Sequence, residues 1–557
     1  MLNILIVIPA RGGSKGIPRK NLRFINNKPL ISWIINTAKN ISCADVVVST
    51  EDCDIKKLTS IYGVSVIKRP KYLSEDDVAL DPVIIHALKI AEKQKEKIYD
   101  IVITLQATSP LLKVETLKKA MVYFNKKNID TLISCIEKRH LFWIKNNQNK
   151  YHPFYKERLN RQLLSPIFEE TGSFLICRRE NLTRGSRIGK KVDMFPINFE
   201  ESVDIDNWID WITAESLIKR RKIVFRVDGN RIIGLGHIYR CLTIADRLMA
   251  QQVYFLMNKK DTLGIKKVQE YNYKIILYKN EDELFQKIDI LIPDIIINDI
   301  LDTSAEYIKK INSRKIFSVN FEDLGEGSEK CNVLFNALYE WSEKPKNNKY
   351  FGYKYECLRE EFYLFNYKRK TKDKVTNILI SFGGTDLNNL TFKVLSTLIK
   401  LEFKGKINVI LGLGYKHKNK LKKYVTQKNL QVFDINIIEN SKFIVQYINE
   451  SDIGITSNGR TVYEFVSLGI PAITISQNYR ETTHLFSRIC PGLINIGIAS
   501  ELKGEYLENN ISKLLNDKRY RLYLINKLVP FAKDIRKGIN RIILIIFEKY
   551  WKFQNGE

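Results

Sequence analysis

Strand and helix signals alternate along nearly the whole chain, and this alternation constrains the fold more than any other feature. Short β-branched runs such as Ile4–Pro9, Ile223–Val227 and Asn377–Ser381 are each followed by a glycine-containing turn and a segment of helical periodicity. This order is typical of parallel strands joined by crossover helices. We therefore predict an α/β protein with mostly parallel sheets.

Two basic segments divide the alternation into three series. The cluster 219–222 precedes the second series, and the polar segment 368–374 precedes the third. The 557 residues leave room for about three to four domains. We predict a domain 1–220, a lobe 221–367, a linker 368–374, and a lobe 375–557 that ends in helices. Two α/β lobes joined by a linker indicate an enzyme with a cleft between them.

Composition narrows the function classes. The net charge of +28 is spread along the chain and is not interleaved with aromatic residues, which favours small anionic substrates over nucleic acid. No run reaches the roughly 18 apolar residues of a membrane span, and the first residues lack a basic leader, so we expect a cytoplasmic protein. The basic helical stretch from Ile511 is either a solvated face or a weak contact with a membrane surface.

The first candidate site directly follows the first strand. The segment 9–21 contains three glycines and four cationic side chains. Glycine lets backbone N–H groups approach a phosphate closely, and arginine and lysine neutralise its charge. The segment therefore predicts binding of a ligand with several phosphates. Farther along, Asp204 and Asp206 alternate on an extended segment, so both carboxylates face the same way and suit Mg²⁺.

These motifs resemble those of the acylneuraminate cytidylyltransferases, which activate sialic-type nonulosonic acids with CTP. The segments that carry the resemblance, in chain order, are 9–21, 49–52, 68–70, 105–110 and 201–206. They cover nearly all of residues 1–215. The resemblance implies a Rossmann-like nucleotidyltransferase domain with a mixed, mostly parallel sheet. It also implies Mg²⁺ as cofactor, a homodimer formed through this domain, and attack of the sugar's anomeric hydroxyl on the α-phosphate of CTP.

The resemblance also assigns roles to individual residues. Arg11, Lys15 and Lys20 would stabilise the triphosphate and its leaving group. Asp204 and Asp206 would hold Mg²⁺. The CTP contacts would be Arg11, Gly12, Gly13, Ser14, Lys20, Asn21 and Arg69, and the sugar acid would contact Gln106. The chain has Val78 and Leu80 where the family carries hydroxyl side chains, so the identity of the sugar acid stays open.

The second candidate site follows the strand Ile223–Val227. A Gly-x-Gly turn at 234–236 leads into a helix and lets backbone approach a diphosphate. His237 directly follows this turn, where a histidine can transfer protons. The third series repeats the strand-then-glycine order at 381–386, and the segment 456–464 then enters a helix.

These segments resemble the two-lobed GT-B enzymes that act on UDP-sugars. They are more narrowly similar to the UDP-sugar hydrolases of the pseudaminic acid pathway and their spore-coat polysaccharide relatives, over about residues 222–490. The resemblance implies that His237 activates the water that displaces UDP. The implied UDP contacts are Gly236, Arg240, Gly383, Gly384, Gly459, Thr461 and, for the ribose, Glu464.

The second resemblance leaves the substrate open. The chain carries Ser457, Asn458 and Arg460 where that family is rich in glycine, and Asn298-Asp299 replaces an acidic pair of the first lobe. The two halves together predict a bifunctional enzyme of nonulosonic acid biosynthesis that uses CTP, a nonulosonic acid and a UDP-sugar. A UDP-sugar-dependent glycosyltransferase in the second half, or one inactive half, are the alternatives.

Overall fold

The computed structural model describes residues 2–13, 16–230, 233–340, 348–412, 414–427, 430–439, 441 and 443–556. The chain divides into two compact units, Met1–Arg220 and Arg221–Glu557. Within the described ranges, no helix combines the length and the apolar character that crossing a membrane requires. The cytoplasmic location and the weak membrane contact stay predictions.

The first unit is built around one mixed sheet. Its strands are β1 (Ile4–Pro9), β2 (Phe24–Ile25), β3 (Lys28–Pro29), β4 (Ala44–Thr50), β5 (Ser65–Lys68), β6 (Ile101–Leu105), β7 (Thr131–Lys138), β8 (Trp143–Lys145), β9 (Tyr151–Pro153), β10 (Ile167–Arg178) and β11 (Val192–Pro196). Its helices are α1 (Leu30–Lys39), α2 (Cys53–Ile61), α3 (Leu80–Lys95), α4 (Val114–Lys126), α5 (Arg179–Thr183) and α6 (Trp208–Ile218).

Seven of the described strands form this sheet in the order β11-β7-β10-β6-β1-β4-β5. β10 runs antiparallel to β6 and β7, and the remaining neighbours are parallel. The central strand β1 is a continuous apolar run because helices cover both faces of the sheet. The predicted α/β class and the mixed, mostly parallel sheet are confirmed. The carboxyl ends of β1 and β4 lie side by side, with Pro9 opposite Ser49.

The second unit contains two parallel sheets. The strands of its first lobe are β12 (Lys222–Val227), β13 (Gln252–Asn258), β14 (Lys274–Tyr278), β15 (Ile295–Asp299), β16 (Phe317–Phe321), β17 (Val333–Asn336) and β18 (Lys349–Phe351). Its helices are α7 (Gly236–Arg247), α8 (Thr262–Gln269), α9 (Glu281–Leu291) and α10 (Ala305–Ser313). Among the described residues the strand order is β14-β13-β12-β15-β16-β17-β18. Each neighbouring pair is parallel.

The second lobe repeats the pattern. Its strands are β19 (Asn377–Ser381), β20 (Lys406–Leu411), β21 (Ile435–Glu439), β22 (Ile453–Ser457), β23 (Ala472–Ser476) and β24 (Leu493–Ile498), and the described part of the sheet is ordered β21-β20-β19-β22-β23-β24. Its helices are α11 (Leu390–Lys400), α12 (Lys418–Val425), α13 (Ile444–Glu450), α14 (Thr461–Ser467), α15 (Tyr479–Thr482), α16 (Phe486–Ile489), α17 (Gly504–Asn516) and α18 (Lys518–Ile535). Two α/β lobes of this kind confirm the predicted GT-B-like module.

The final helix, α19 (Gly538–Asn555), corrects the assignment of 375–557 to the second lobe. Its apolar face packs into the core of the first lobe, where Ile542, Ile546 and Tyr550 are buried. The ring of Tyr550 lies 5.7 Å from that of Phe317 on β16. The chain therefore returns to the first lobe after it completes the second, and α19 covers an apolar face of the first-lobe sheet.

Replacing Ile542 by alanine is expected to lower the free energy of unfolding by about 2–5 kcal/mol, because a fully buried side chain leaves a cavity between α19 and the first-lobe sheet. Leu544 on the same helix is 71% exposed, so Leu544→Ala is the matched control and is expected to change stability by less than about 0.5 kcal/mol. Urea-induced unfolding of the full chain measures both. Equal effects of the two substitutions would contradict the placement of α19.

Candidate functional sites

The described residues of the glycine loop, 10–13 and 16–21, follow the carboxyl end of β1. Gly12 N–H donates to Glu51 Oε1 at 2.7 Å, and Asn21 Nδ2 donates to the carbonyl oxygen of Arg11 at 3.0 Å. Glu51 also accepts a hydrogen bond from Ser74 Oγ at 2.9 Å. The loop is therefore held in place from the end of the neighbouring strand β4. The predicted site residues Ser14 and Lys15 lie outside the described residues.

Lys20 connects the glycine loop to the acidic segment 204–206. Its ammonium donates to the carbonyl oxygen of Ile205 and lies 3.2 Å from Asp206 Oδ1. Lys20 itself is buried, with 9% exposure. The backbone of the two motifs also meets, because a Cβ on Gly16 would overlap the carbonyl oxygen of Asp206. Two predicted motifs that lie 185 positions apart in the chain thus form one site.

Replacing Gly16 by alanine is expected to push the glycine loop away from Asp206, and hence to lower the melting temperature of the first unit. Gly13 is the matched position, since a Cβ there meets nothing within 4 Å. Differential scanning calorimetry compares the two. A Gly16→Ala protein as stable as Gly13→Ala would show that the loop and the acidic segment are not in close contact.

The acidic pair fits a Mg²⁺ ion. Asp204 Oδ1 is buried and, among the residues that the structure describes, has no hydrogen-bond partner. Burial raises the pKa of Asp204 and the charge of Asp206 adds to the rise, whereas a hydrogen bond from Thr108 and the charge of Lys20 oppose it. No group of three or more acidic, histidine or cysteine side chains that could hold a metal occurs in the described ranges. A cation here would need substrate oxygens to complete its shell, as is usual for Mg²⁺.

Gln106 lies beside this acidic pair. A Cβ on Gly172 would come within 2.8 Å of Gln106 Nε2 and 3.3 Å of Asp204 Oδ2, so both side chains line the same cradle. Gly172 has a φ of +69°, which a residue with a Cβ rarely adopts. The structure thus places the predicted sugar contact next to the predicted metal ligand.

Two predicted nucleotide contacts have protein partners. Arg69 is buried, and its guanidinium donates to the carbonyl oxygen of Ser49 at 2.6 Å and to Ser49 Oγ at 3.2 Å. Burial lowers the pKa of Arg69, opposed by the charge of Glu51. Arg11 lies at the surface, 2.8 Å from Asp76. Sequence reasoning missed Glu51 as an organiser of the loop, although it lies within the matched segment 49–52.

In the second unit, the structure gives His237 a carboxylate partner. His237, at the start of α7, donates through Nδ1 to Asp299 Oδ1 at 2.5 Å. Asp299 ends β15 and is fully buried. Burial alone would raise the pKa of Asp299, but the charges of Arg240 and His237 outweigh it and lower the pKa. Because Asp299 holds Nδ1–H, Nε2 of His237 is left to accept a proton.

Arg240, which the sequence predicts as a UDP contact, is buried against two carboxylates of its own lobe. It is 3% exposed, and its guanidinium bonds both oxygens of Asp299 and, at 3.1 Å, Glu322 Oε1. Glu322 follows β16 and also accepts hydrogen bonds from the backbone N–H groups of Ala337 and Leu338. One α7 turn separates Arg240 from His237, so Arg240 fixes the carboxylate that orients the histidine.

The predicted UDP contacts of the second lobe lie at the carboxyl ends of β19 and β22. Gly383 has a φ of +72°, and a Cβ on Gly384 meets nothing within 4 Å. Gly459 follows β22, and Thr461 begins α14. Glu464 accepts a hydrogen bond from Arg359 Nη2 at 2.9 Å, so an ion pair orients its carboxylate. Burial raises the pKa of Glu464, and the charge of Arg359 opposes it.

The two lobes meet at their glycine turns. Arg460 Nη1, from the second lobe, donates to the carbonyl oxygen of Gly236 at 3.3 Å. Arg480 Nε donates to the hydroxyl of Tyr339 at 3.2 Å, which makes a second bridge between the lobes. Neither arginine was assigned a role from the sequence. The contact between Arg460 and Gly236 therefore brings the turn before His237 close to the second-lobe turn at Gly459, and the cleft between the lobes stays a prediction.

Comparisons with known proteins agree with the division of the chain into two units. Residues 5–214 match the cytidylyltransferase family, and residues 377–537 match the glycosyltransferase family 28 C-terminal domain. An uncharacterised protein of Methanocaldococcus jannaschii is 32% identical, with 46% of this chain and 56% of that protein covered. This chain therefore spans little more than half of that relative.

Two further relatives carry descriptive names. The N-acylneuraminate cytidylyltransferase of Oncorhynchus mykiss is 32% identical, with 51% of this chain and 67% of that protein covered. The CMP-N,N'-diacetyllegionaminic acid synthase of Legionella pneumophila is 32% identical, with 39% and 97% covered. Through its first unit the chain belongs to the cytidylyltransferase family, and its second unit carries a domain like those of glycosyltransferase family 28.

Proposed function

We propose that the first unit transfers CMP from CTP to a nonulosonic acid and releases pyrophosphate. The observation that carries the proposal is the contact of Lys20 with Ile205 and Asp206, which joins the cation-rich glycine loop to the acidic segment 204–206. In that segment, Asp204 Oδ1 is buried and has no hydrogen-bond partner among the described residues. The cationic glycine loop suits a triphosphate, and the acidic segment suits the Mg²⁺ ion that accompanies it. The relatives from Oncorhynchus mykiss and Legionella pneumophila, whose names contain sugar acids of this class, support the proposed substrate.

The roles of the chain's own residues follow from this arrangement. The Gly13 N–H group and the charges of Arg11, Lys15 and Lys20 would neutralise the triphosphate and the departing pyrophosphate. Gln106 would position the sugar acid beside Asp204. Mg²⁺ held by Asp204 and Asp206 would supply charge neutralisation and a lower pKa for the attacking hydroxyl. Arg69, which is hydrogen-bonded to Ser49, would line the nucleotide pocket.

Pyrophosphate release from CTP and Mg²⁺ tests the first proposal. The full chain is assayed with a panel of nonulosonic acids, and each is compared with a reaction that lacks the sugar acid. We expect release that depends on one member of the panel, which names the substrate. Val78 and Leu80 stand where the resembled family carries hydroxyl side chains, so the panel includes acids other than sialic acid. Absence of release with every sugar acid would overturn the proposal.

We infer that the second unit cleaves the anomeric bond of a UDP-sugar. The observation that carries this proposal is the His237–Asp299 pair, whose geometry leaves Nε2 to take a proton from the attacking nucleophile. The nucleophile oxygen bonds to the anomeric carbon, the carbon–oxygen bond to UDP breaks, and its electron pair leaves on the phosphate. The glycine turns at Gly383 and Gly459 would bind the diphosphate.

Two nucleophiles are compatible with this site. The resemblance to UDP-sugar hydrolases supports water, and the match of residues 377–537 to glycosyltransferase family 28 supports an acceptor hydroxyl. Incubation with a panel of UDP-sugars in the absence of an acceptor separates them. Stoichiometric release of UDP and free sugar would establish hydrolysis. Release that requires an added acceptor would establish transfer, and no release under either condition would overturn the assignment.

We also propose that the first unit forms a homodimer. The β8–β9 hairpin and the segments beside it expose several large apolar side chains, namely Phe142, Trp143, Ile144, Tyr151 and Phe154. A surface patch of this kind indicates a protein partner. Sedimentation velocity of the wild type and of Ile144→Asp tests the proposal. We expect a dimer that dissociates in the variant, whereas a monomeric wild type would contradict it.

A further inference from the structure

Arg460 occupies a position between the two glycine turns of the second unit. It follows Gly459 in the second lobe, and its side chain extends over the Gly-x-Gly turn of the first lobe. Its Nη1 donates to the carbonyl oxygen of Gly236 at 3.3 Å, and its Cδ lies 4.0 Å from where a Cβ of Gly236 would be. Arg460 is thus adjacent to the second-lobe turn in sequence, and its guanidinium is close in space to Gly236, the residue before His237.

The charge of Arg460 is poorly matched within the protein. Its nearest carboxylate oxygen among the described residues, Glu322 Oε1, is 3.9 Å from Nη2, at the outer limit of an ion pair. That same oxygen already accepts hydrogen bonds from Arg240 and from the Ala337 N–H. The side chain of Arg460 is 24% exposed, whereas that of Arg240 is 2% exposed. Arg460 therefore keeps donors that are available to a ligand in the cleft.

Arg359 differs from Arg460 in how well its charge is matched, and Arg480 differs from Arg460 in its position. Arg359 lies 2.9 Å from both Glu361 and Glu464, so two carboxylates match its charge. Arg480 donates to Tyr339 at the second bridge between the lobes and lies 3.9 Å from Asp302. Of the described arginines that line the cleft, Arg460 is the one adjacent to both glycine turns. A planar guanidinium with free donors suits the paired oxygens of a phosphate.

We propose that Arg460 binds the diphosphate of the nucleotide sugar and neutralises the negative charge that develops on UDP as it leaves. The inference rests on the function proposed for the second unit. When the anomeric carbon–oxygen bond breaks, the electron pair moves to a phosphate oxygen, and a guanidinium at that oxygen stabilises the transition state. The hydrogen bond to Gly236 O would then be exchanged for one to phosphate.

Binding of UDP and of uridine, measured by ligand-observed NMR on the full chain, tests this assignment. The proteins are the wild type, Arg460→Gln, Arg460→Lys and, as the matched control, Arg480→Gln. We expect Arg460→Gln to weaken UDP binding by about 10- to 100-fold and to leave uridine binding unchanged, since a charge-assisted bond to phosphate is lost. Arg460→Lys should lose less, and Arg480→Gln should bind both ligands as the wild type does.

Turnover supplies the second readout. We expect Arg460→Gln to lower kcat for UDP release by about 10²- to 10³-fold, as removal of one donor to a developing oxyanion does. UDP binding that is unchanged in Arg460→Gln would overturn the assignment. Equal losses of UDP and uridine in Arg460→Gln and Arg480→Gln would overturn it too, because they would show that Arg460 only holds the lobes together. Failure of the wild type to bind UDP would instead overturn the proposed function.

Discussion

Replacing Asp204 by asparagine is expected to abolish CMP transfer and to leave the first unit at least as stable as the wild type at neutral pH. The carboxylate is a proposed metal ligand, so kcat/KM for pyrophosphate release should fall by about 10³-fold or more. Burial raises the pKa of Asp204, so its ionised form is disfavoured in the folded protein. Asparagine keeps the shape and removes that charge.

The pH dependence of stability follows with a definite sign. A carboxyl whose folded-state pKa lies above its unfolded value stabilises the fold when protonated, and this contribution is lost as the pH rises from the unfolded through the folded pKa. The stability advantage of Asp204→Asn should therefore appear as the pH rises through this window and vanish below it. Thermal unfolding at a series of pH values measures the difference between the two proteins.

Asp210 provides a control, because its replacement is expected to lower stability and to leave the activity nearly unchanged. Its carboxylate accepts the N–H groups of Asp206 and Asn207 in the capping box of α6. Asp210→Ala should cost about 0.5–2 kcal/mol of stability and leave the activity within a few-fold of the wild type. An active Asp204→Asn protein, or one that is destabilised as Asp210→Ala is, would show that Asp204 is a structural carboxylate.

Replacing His237 by glutamine is expected to lower UDP-sugar turnover by about 10²- to 10⁴-fold, because the nucleophile loses its proton acceptor. Asp299→Asn should lower the rate as well, since an asparagine no longer fixes the tautomer of His237. Asp299→Asn should also destabilise the second unit by about 3–5 kcal/mol, because the buried Arg240 loses its main partner. Initial rates of UDP release and urea unfolding give the two values.

Asp302 is the matched control for these variants. It lies three residues beyond Asp299, and its side chain is 49% exposed. Asp302→Asn should change neither the rate of UDP release nor the stability by more than a small amount. Full turnover by His237→Gln would remove the histidine from the mechanism. A loss shared equally by Asp302→Asn would point to a general effect of charge in the cleft.

The strands whose bounds depend on the residues within and beside them were predicted correctly from the sequence. The strands Ile4–Pro9 and Asn377–Ser381 have the predicted bounds, because β-branched runs between turn residues leave few alternatives. The return of Gly538–Asn555 to the first lobe was not predicted. Its amphipathic pattern fits either lobe, and only the shape of the packed sheets selects one.

In the candidate sites, too, local motifs were predicted from the sequence and contacts between distant segments were not. Glycines and cationic residues that follow a strand mark the glycine loop of the first unit and the Gly-x-Gly turn of the second. Their positions at the carboxyl ends of strands follow from the parallel topology. The partners of those residues come from distant segments. Asp299 orients His237 from 62 positions away, and Arg240 contacts Glu322 across 82 positions. A single sequence shows no such pairing, which is why Arg240 was assigned to phosphate.

The central claim is that one chain carries two nucleotide-dependent activities with separate machinery. The most direct measurement assays the full-length wild type, Asp204→Asn and His237→Gln for both pyrophosphate release from CTP and UDP release from a UDP-sugar. We expect Asp204→Asn to lose only the first activity and His237→Gln to lose only the second. Loss of both activities in either variant, or absence of sugar-acid-dependent pyrophosphate release in the wild type, would contradict the claim.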